Sequence, residues 1–259
     1  MDLHLKGRIA IVGGASQGIG YGIARTLAME GAKLAITARR APDLARAAER
    51  IRAETAADVL AVPADCRQAE DCARVSETVS GVYGGIDILV NNDGAPPLGE
   101  IEKFDDGAWQ KAVEQNLMYV IRMARGVLPH MKTRGGGSIL NITAISAIQP
   151  IRGFGLSVAT WSAVIGFAKT LSIEVARYGI NVNTICPGYV ETPRLEKVFA
   201  GGGKDPASMR RELEAEVPLG RIGTVDDIAS IVALLVSPRG SYITGATIQV
   251  DGGLLRAVR

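Results

Sequence analysis

Short, continuously apolar runs alternate along the chain with longer stretches in which apolar residues recur at helical spacing. The apolar runs predict seven strands: Arg8–Val12, Lys33–Thr37, Val59–Pro63, Asp87–Asn91, Gly137–Ile142, Asn181–Cys186 and Thr247–Val250. The longer stretches predict helices at Ile19–Glu30, Pro42–Thr55, Gln68–Val82, Trp109–Lys132 and Val158–Tyr178. Strand–helix alternation is typical of a parallel sheet with helices on both faces, so the pattern predicts a doubly wound α/β fold.

No repeat, low-complexity tract or linker divides the chain, so we expect residues 1–259 to form a single domain. Only the segment 191–217 interrupts the alternation, with a run of glycines at Gly201–Gly203. Doubly wound sheets bind ligands at the carboxyl ends of their strands, and we therefore expect 191–217 to be a substrate loop or lid inserted there. Its basic residues would either attract an anionic substrate or form a solvated face: Arg194, Lys197, Lys204, Arg210 and Arg211.

Composition excludes several classes of function. Lys and Arg number 29 against 27 Asp and Glu, and the net charge of +2 predicts no nucleic-acid face. The three cysteines, Cys66, Cys72 and Cys186, lack metal-ligand spacing and favour a reducing compartment. We see no signal-peptide segment and no apolar run approaching the ~20 residues of a membrane helix. The sequence thus predicts a cytoplasmic protein without a metal, with neither nucleic acid nor a membrane as its partner.

A glycine-rich loop, Gly14-Ala-Ser-Gln-Gly18-Ile-Gly20, follows the first strand and opens the first helix. Glycines let the backbone turn sharply and approach a pyrophosphate, and the helix N-terminus offers free N–H groups to it. Because strand, loop and helix come in the required order, the loop predicts a Rossmann-type dinucleotide site.

Further motifs follow the later strands: Asp65, Asn91-Asn-Asp-Gly94, Asn116 within Gln115-Asn-Leu, Pro187-Gly188 with Thr192, Pro218-Leu-Gly-Arg221 and Val250-Asp-Gly-Gly253. With the glycine spacing, this set resembles the short-chain dehydrogenase/reductase (SDR) family over nearly the whole chain, in particular its 3-oxoacyl-ACP reductase-like members. The resemblance implies an NAD(P)-dependent oxidoreductase. It also implies a homo-oligomer, a tetramer, built through Tyr242–Leu255 and the two long helices.

The resemblance assigns cofactor contacts residue by residue. Asp65 and Cys66 would flank the adenine, while Asn91, Asp93 and Gly94 would edge a ribose. The phosphate side and the nicotinamide side would be lined by Gly14, Ser16, Gln17, Gly18, Ile19 and Gly20, and by Pro187, Gly188, Val190 and Thr192, respectively.

The end of the second strand bears on the choice of cofactor. It reads Thr37-Ala-Arg39-Arg40, with no acidic residue before Asp43 to repel a 2′-phosphate. The guanidinium of Arg39, with Arg40 beside it, can bind that phosphate, although a solvated arginine pair is the alternative. We therefore expect NADP(H) to be favoured over NAD(H).

The resemblance fails where the family carries its catalytic Ser, Tyr and Lys. Alignment from the flanking strands, without a gap, places Ala144, Ser157 and Trp161 at those positions, and only the family's Asn is kept, as Asn116. The family's tyrosine acts as a general acid, and a positioned general acid contributes about 10²–10⁴ to the rate. Without it, we do not expect the reduction of ordinary ketones or the oxidation of ordinary alcohols. Neighbouring polar residues could substitute, but we interpret each as structural: Thr143, Ser146, Arg152, Thr160 and Ser162.

Two departures lie on the cofactor side. Asp93 stands where the family usually has Ala, and its carboxylate would either bind sugar hydroxyls or repel an anionic cofactor. Gly13 stands where a Thr commonly precedes the glycine loop, which removes a hydroxyl that ties strands together.

Three functions stay open at this point. The first is hydride transfer to a substrate that needs no tyrosine, such as an imine. The second is a non-redox cyclase or isomerase on the same scaffold. The third is an inactive NADP-binding homologue that serves as a partner subunit, with an active paralogue as a candidate partner.

Overall fold

The computed structural model describes residues 1–94, 96–196 and 205–257. Its strands are β1 (Ile9–Val12), β2 (Lys33–Ala38), β3 (Val59–Pro63), β4 (Ile88–Asn91), β5 (Gly137–Ile142), β6 (Ile180–Pro187) and β7 (Thr247–Val250). They pair in parallel, in the order β3-β2-β1-β4-β5-β6-β7. The predicted α/β fold with a seven-stranded parallel sheet is confirmed.

The helices of the described residues are α1 (Gly18–Met29), α2 (Ala41–Thr55), α3 (Ala69–Tyr83), α4 (Asp106–Ala112), α5 (Tyr119–Thr133), α6 (Gly155–Val175), α7 (Pro206–Glu216) and α8 (Val225–Val236). The predicted single helix Trp109–Lys132 is wrong in detail. Its N-terminal part is α4, and a π-helical segment, Val113–Met118, joins α4 to α5. Such π-helical turns often occur at functional sites, and this one carries Asn116.

The central strand β1 buries side chains on both faces, which explains why it is apolar throughout. In β1, Ala10 and Val12 join the cluster under α1, α2 and α8, whereas Ile9 and Ile11 join the cluster under α3, α5 and α6. Successive strand side chains point to opposite faces, so both layers of helices pack on the same four residues. The carboxyl ends of the strands remain uncovered by these layers.

Local sequence sets where the later helices begin. Asp205 accepts a hydrogen bond from the backbone N–H of Ser208 at 2.9 Å and thereby caps α7. Thr224 and Asp227 form a reciprocal capping box at the start of α8. Both arrangements satisfy N–H groups that a helix start leaves unpaired.

The helix formed by α6 and the turn after it, Gly155–Tyr178, is long and apolar enough to cross a membrane, judged by length and composition alone. One such helix is weak evidence for a membrane segment, and the expectation that the protein acts away from membranes stays a prediction. The core helix of a soluble fold has the same properties, and Leu156, Val164 and Leu171 of α6 are buried.

The predicted lid, 191–217, contains α7 and a helical start at residues 193–196. Lys197, Gly201–Gly203 and Lys204 lie outside the described residues. Arg210 pairs with Glu191 at 2.5 Å and with Glu196 at 3.3 Å, which supports a solvated, internally paired face. The assignment of 191–217 as a lid stays a prediction.

Candidate functional site

The glycine loop lies between β1 and α1 in a conformation that needs glycine. Gly14 and Gly18 have φ angles of 56° and 59°, which side chains rarely adopt. A Cβ on Gly20 would lie 2.5 Å from the carbonyl oxygen of Gly14, so the loop backbone is packed against the helix start. This close approach leaves the outer side of the loop as backbone, as a pyrophosphate site requires.

The N-terminus of α1 has no side-chain cap. Gln17 occupies the capping position in an extended conformation, but its side chain makes no capping hydrogen bond, and the first turn has no acidic residue. The free N–H groups and the positive end of the helix dipole therefore face the loop, where a diphosphate would satisfy them. The residues present thus fit a dinucleotide.

Asn92 and Tyr119 connect the loop to β4 and α5, and sequence analysis missed both roles. The Asn92 side-chain amide donates to the Gly13 carbonyl oxygen at 3.1 Å, and its backbone N–H donates to the Tyr119 hydroxyl at 3.1 Å. A Cβ on Gly13 would lie 2.2 Å from that hydroxyl. The glycine at position 13 is therefore explained, because the phenol of Tyr119 occupies the space that a larger residue would need.

The two arginines after β2 differ in their partners. Arg40 pairs with Asp43 at 2.8 Å and is the residue before α2. Arg39 is exposed and makes no ion pair with any residue in the described ranges. Its charge still lowers the pKa values of Asp65 and Asp93, behind larger causes, which places it close to both carboxyls. Of these two arginines, Arg39 is therefore the one available to bind a 2′-phosphate.

The loop after β3 and the loop after β4 face each other. Asp65 accepts hydrogen bonds from Arg67 at 2.8 and 3.1 Å, and these bonds lower its pKa. Desolvation raises the pKa of Asp93 above its ordinary value. Both loops therefore bring carboxylates to the predicted adenosine side.

Asn91 ends β4 beside Asn141 of β5. Its side-chain amide donates to the Asn141 side-chain oxygen at 2.9 Å, while its own side-chain oxygen is buried and has no partner within the described ranges. A buried acceptor without a partner is costly, and a sugar hydroxyl would satisfy it.

A cavity of about 510 Å³ opens at the carboxyl ends of β4, β5 and β6. The structure brings the predicted nicotinamide-side residues Pro187, Gly188, Val190 and Thr192 into its wall, together with Ile19, Asp93 and Gly94. Much of the remaining lining is apolar: Ile145, Ile151, Phe154, Trp161, Tyr189, Leu195, Met209 and Leu213. Arg194 of the predicted lid and Glu212 of α7 are charged residues in the same lining. Size and lining are those of a small-molecule site.

Only two of the three residues at the predicted catalytic positions Ala144, Ser157 and Trp161 reach the cavity. Ala144 and Trp161 line the cavity, whereas Ser157 is 1% exposed and lies in the wall of neither this cavity nor the smaller one beside it. Asn116 donates its side-chain amide to the Thr160 hydroxyl at 2.8 Å, and that hydroxyl donates to the Leu156 carbonyl oxygen. Asn116 is thus held by a threonine from the helix that carries Trp161.

Most of the possible substitute groups are bound within the fold. The Thr143 and Ser162 hydroxyls donate to the carbonyl oxygens of Ile185 at 3.1 Å and Ala147 at 2.8 Å, and Arg152 pairs with Glu100 at the surface. Their structural interpretation is supported. Ser146 differs, because it lines the cavity and its buried hydroxyl has no partner within the described part of the chain.

Several curated proteins resemble this chain over almost its full length. The "Dehydrogenase/reductase SDR family member 4" of Oryctolagus cuniculus is 33% identical over 250 residues, 96% of this chain and 94% of that protein. The 3-oxoacyl-[acyl-carrier-protein] reductase of Vibrio cholerae is 33% identical over 257 residues, 97% of this chain and 99% of that protein.

Solved structures agree with the sequence relatives. L-sorbose reductase from Gluconobacter frateurii, complexed with NADPH and L-sorbose, superposes with a TM-score of 0.96 at 35% identity, covering 100% of both chains. Actinorhodin polyketide ketoreductase with NADPH superposes with a TM-score of 0.93 at 33% identity, covering 97% of this chain and 98% of that one.

The family model described as enoyl-(acyl carrier protein) reductase matches residues 14–255, from the first loop glycine to the turn after β7. The extent of this match and the identities of the relatives are sufficient to establish the family. The chain belongs to the short-chain dehydrogenase/reductase family of NAD(P)-dependent oxidoreductases.

Proposed function

We propose that this chain binds NADP(H) and catalyses hydride transfer between the cofactor and an apolar substrate held in the 510 Å³ cavity. The observation that carries the proposal is the continuity of the glycine loop, the uncapped N-terminus of α1 and the cavity wall at Pro187–Thr192. NADPH in two structural neighbours supports the cofactor, and the unpaired Arg39 supports the 2′-phosphate. When bound, NADPH supplies the hydride.

The proposal includes an atypical proton step. By the family alignment, Ala144, Ser157 and Trp161 replace the serine, tyrosine and lysine. The buried Ser157 hydroxyl is a weak acid, and the Trp161 indole is uncharged with one N–H donor. An alkoxide formed from a ketone would therefore lack a strong proton donor at these positions. The phenol of Tyr189, in the cavity wall, already donates its hydrogen bond to Glu216 at 2.9 Å.

A substrate with an iminium carbon suits this wall better than a ketone. Hydride addition to an iminium cation gives a neutral amine, so no oxyanion has to be protonated. Trp161, Phe154 and Tyr189 line the cavity, and the faces of aromatic rings attract cations by about 0.5–2 kcal/mol each. A tryptophan in place of a lysine also removes one positive charge that would repel such a substrate, while Glu212 accompanies Arg194 in the cavity lining.

Ser146 is the polar group we assign to orienting the substrate. Its hydroxyl lacks a partner in the described chain and lies in a largely apolar part of the cavity wall, beside Ile145. A serine hydroxyl can rotate toward the cavity and accept or donate one hydrogen bond. This bond would fix an apolar substrate without supplying a proton to it.

The experiment compares dihydroisoquinoline with the ketone of the same ring skeleton, α-tetralone, in single turnover. NADPH oxidation is followed by absorbance in the wild type, in Trp161→Phe, which keeps an aromatic face, and in Trp161→Leu, which removes it. We expect turnover of the imine only, a small loss in Trp161→Phe, and a loss of about tenfold in Trp161→Leu.

Three outcomes decide the matter. Rapid ketone turnover in the wild type would refute the atypical proton step. NADPH binding without turnover of either compound would favour a non-redox enzyme or a partner subunit. Absence of NADPH binding in a fluorescence titration would refute the proposed function as a whole.

We further propose that the protein is a cytoplasmic homotetramer. Tyr242 is fully exposed, Leu219 is 68% exposed, and the edge strand β7 is half-buried, which leaves apolar surface at the C-terminal edge of the sheet. Analytical ultracentrifugation at micromolar concentration tests the assembly, and a clean monomer would contradict it.

A further inference from the structure

Two cysteines meet where β3 passes into α3. Cys66 lies in the connecting loop and Cys72 in the first turn of α3. The Cys72 thiol donates to the Cys66 carbonyl oxygen at 3.1 Å, and the two thiol groups also interact with each other. Both are buried, Cys66 at 8% and Cys72 at 1% exposure. The family resemblance gives no chemical role to such a pair.

The surroundings make the two thiols chemically unequal. The hydrogen bond from the Cys66 thiol lowers the pKa of Cys72, and the nearby Arg122 lowers it further. The same hydrogen bond and burial raise the pKa of Cys66. Arg122 is held in place by Glu114 at 2.6 Å and by the Arg67 carbonyl oxygen at 2.8 Å. Because the thiolate is the reactive form of cysteine, Cys72 is the nucleophile of the pair.

The loop that carries Cys66 also carries the predicted adenine contacts. The backbone N–H of Asp65 donates to the Asp71 carboxylate at 2.7 Å, and the Asp65 side chain holds Arg67. Asp93 of the facing loop is close enough to raise the pKa of Cys66. A covalent change at Cys66 would therefore shift Asp65 and its neighbours on the adenosine side.

We propose that Cys66 and Cys72 are a redox modification site, at which a reversible disulfide weakens the binding of NADP(H). The proposal rests on the proposed cofactor function for its effect, but not for its chemistry. Forming the bond requires the Cys72 thiol to give up its hydrogen bond to the Cys66 carbonyl oxygen. The loop 64–68 must then rearrange at the start of α3.

A peroxide is the oxidant class that balances the reaction. The Cys72 thiolate attacks one peroxide oxygen, the O–O bond breaks, and a sulfenic acid forms at Cys72 with release of water. The Cys66 thiol then attacks this sulfur, a second water leaves, and the S–S bond forms. The two thiols lose two electrons and two protons in total, and the peroxide takes up both. A small-molecule dithiol reverses the reaction by exchange.

Trypsin provides a direct readout, because Arg67 lies between the two cysteines. Cleavage after Arg52, Arg67 and Arg74 gives peptides 53–67 and 68–74, each with one cysteine. After hydrogen peroxide and blocking with N-ethylmaleimide, we expect these peptides to be joined and to separate with dithiothreitol. The matched control, Cys186→Ser, should give the same linked species, while Cys66→Ser and Cys72→Ala should not.

The functional arm measures NADPH affinity by fluorescence titration of the intact protein before oxidation, after oxidation and after reduction. We expect oxidation to raise the dissociation constant by about tenfold, equivalent to the loss of a hydrogen bond or two, and reduction to restore it. We also expect saturating NADPH to slow formation of the linked peptides.

Failure of the proposal and failure of the cofactor assignment are distinguishable. If peroxide oxidises the cysteines without joining 53–67 to 68–74, the site is refuted, whatever the protein binds. If the peptides join and NADPH binds equally well, the coupling to the cofactor is refuted. If the peptides join reversibly in a protein that never binds NADPH, the modification site stands and the cofactor function fails.

Discussion

The two sides of the ligand-binding edge of the sheet use polar groups in opposite ways. On the β1–β4 side, the Asn92 amide and the Tyr119 hydroxyl connect the glycine loop to its neighbours by hydrogen bonds. On the β5–β6 side, the cavity wall is formed largely by apolar and aromatic side chains, with Trp161 between them. The first side is built to hold a polar, charged molecule, and the second to enclose an apolar one.

This difference indicates that cofactor binding and proton transfer are separable in this chain. The loop geometry and the uncapped α1 are those of a dinucleotide site. In the proposed function, the positions of Ser157 and Trp161 lack the phenol and the ammonium group that would protonate an alkoxide. The glycine loop and the N-terminus of α1 retain the features of a dinucleotide site. Substitutions in the substrate cavity should therefore leave NADPH affinity unchanged, and substitutions at the cofactor loop should leave the proton step unchanged.

The largest expected effect tests the proposed atypical site, by introducing the Ser, Tyr and Lys that the family resemblance implies. We expect the wild type to reduce ketones poorly, and the triple change Ala144→Ser, Ser157→Tyr and Trp161→Lys to gain about 10²–10⁴ in kcat/KM, the usual worth of a positioned general acid. NADPH oxidation with a panel of apolar ketones measures it. NADPH affinity should stay nearly constant.

The control for this experiment is Ala144→Ser alone, which adds a hydroxyl without a phenol or ammonium group and should gain little. Wild-type ketone turnover in the range of ordinary enzymes, about 1–10³ per second, would contradict the separation of the two sides. A buried Ser157 leaves limited room for a phenol, so the triple variant is first checked for folding by circular dichroism.

The next effect concerns the cofactor side alone. Arg39→Asp should weaken NADPH binding by about 10–100-fold and leave NADH binding nearly unchanged, since a charge-assisted hydrogen bond to phosphate is worth about 1.5–3 kcal/mol. Arg40→Asp is the matched control, because Arg40 is already paired with Asp43. Equal losses for both nucleotides would show that Arg39 does not distinguish the 2′-phosphate.

The sequence predicts the sheet well because its strands are short, apolar and separated by helices of clear periodicity. The strand ends agree within one residue, as Asn181–Cys186 against Ile180–Pro187 shows. The helix Trp109–Lys132 was the main error. Apolar periodicity does not distinguish a π-helical segment from an α-helix. The segment Val113–Met118 changes the hydrogen-bonding pattern of the helix but leaves the apolar spacing continuous.

The candidate site was predictable where backbone geometry defines it and less so where side chains meet. The glycine loop follows from spacing alone. The role of Tyr119 does not, since nothing in a linear sequence indicates that its hydroxyl fills the space at Gly13. Gly13 and Tyr119 are 106 residues apart in the sequence, and their complementary shapes become visible only when the fold brings them together.

A smaller effect tests that contact on the cofactor side. Tyr119→Phe leaves the Asn92 backbone N–H without its acceptor, and a buried unsatisfied donor costs about 1–3 kcal/mol. We expect the free energy of unfolding in urea to fall by that amount and NADPH binding to weaken with it. Tyr21→Phe, which removes a hydroxyl that donates to the exposed Glu54 at 3.3 Å, is the control and should change both far less. An unchanged stability in Tyr119→Phe would mean that water replaces the hydroxyl.

The smallest expected effect decides between the two roles left open for Asp93. Desolvation raises the pKa of its carboxyl, so the folded protein favours the neutral form. The stability contributed by this group is fully present below the ordinary aspartate pKa and is lost as the pH rises through the raised pKa. In its ionised form, the Asp93 carboxyl places a negative charge near the anionic cofactor, and repulsion between the two would weaken binding. Because Asp93 is itself exposed, solvent screens its charge and keeps the effect small.

Asp93→Asn should accordingly bind NADPH more tightly than the wild type at neutral pH, by about fivefold at most, the upper range for a solvent-screened charge. The gain should disappear in acid, where the wild-type carboxyl is protonated, and shrink with added salt, which screens repulsion between charges. Glu77→Gln on α3 removes the same charge from an exposed position and is the matched control. A variant that binds NADPH more weakly would reverse the assignment, because it would mean that the Asp93 carboxylate accepts hydrogen bonds from the cofactor's sugar and that this attraction outweighs the repulsion.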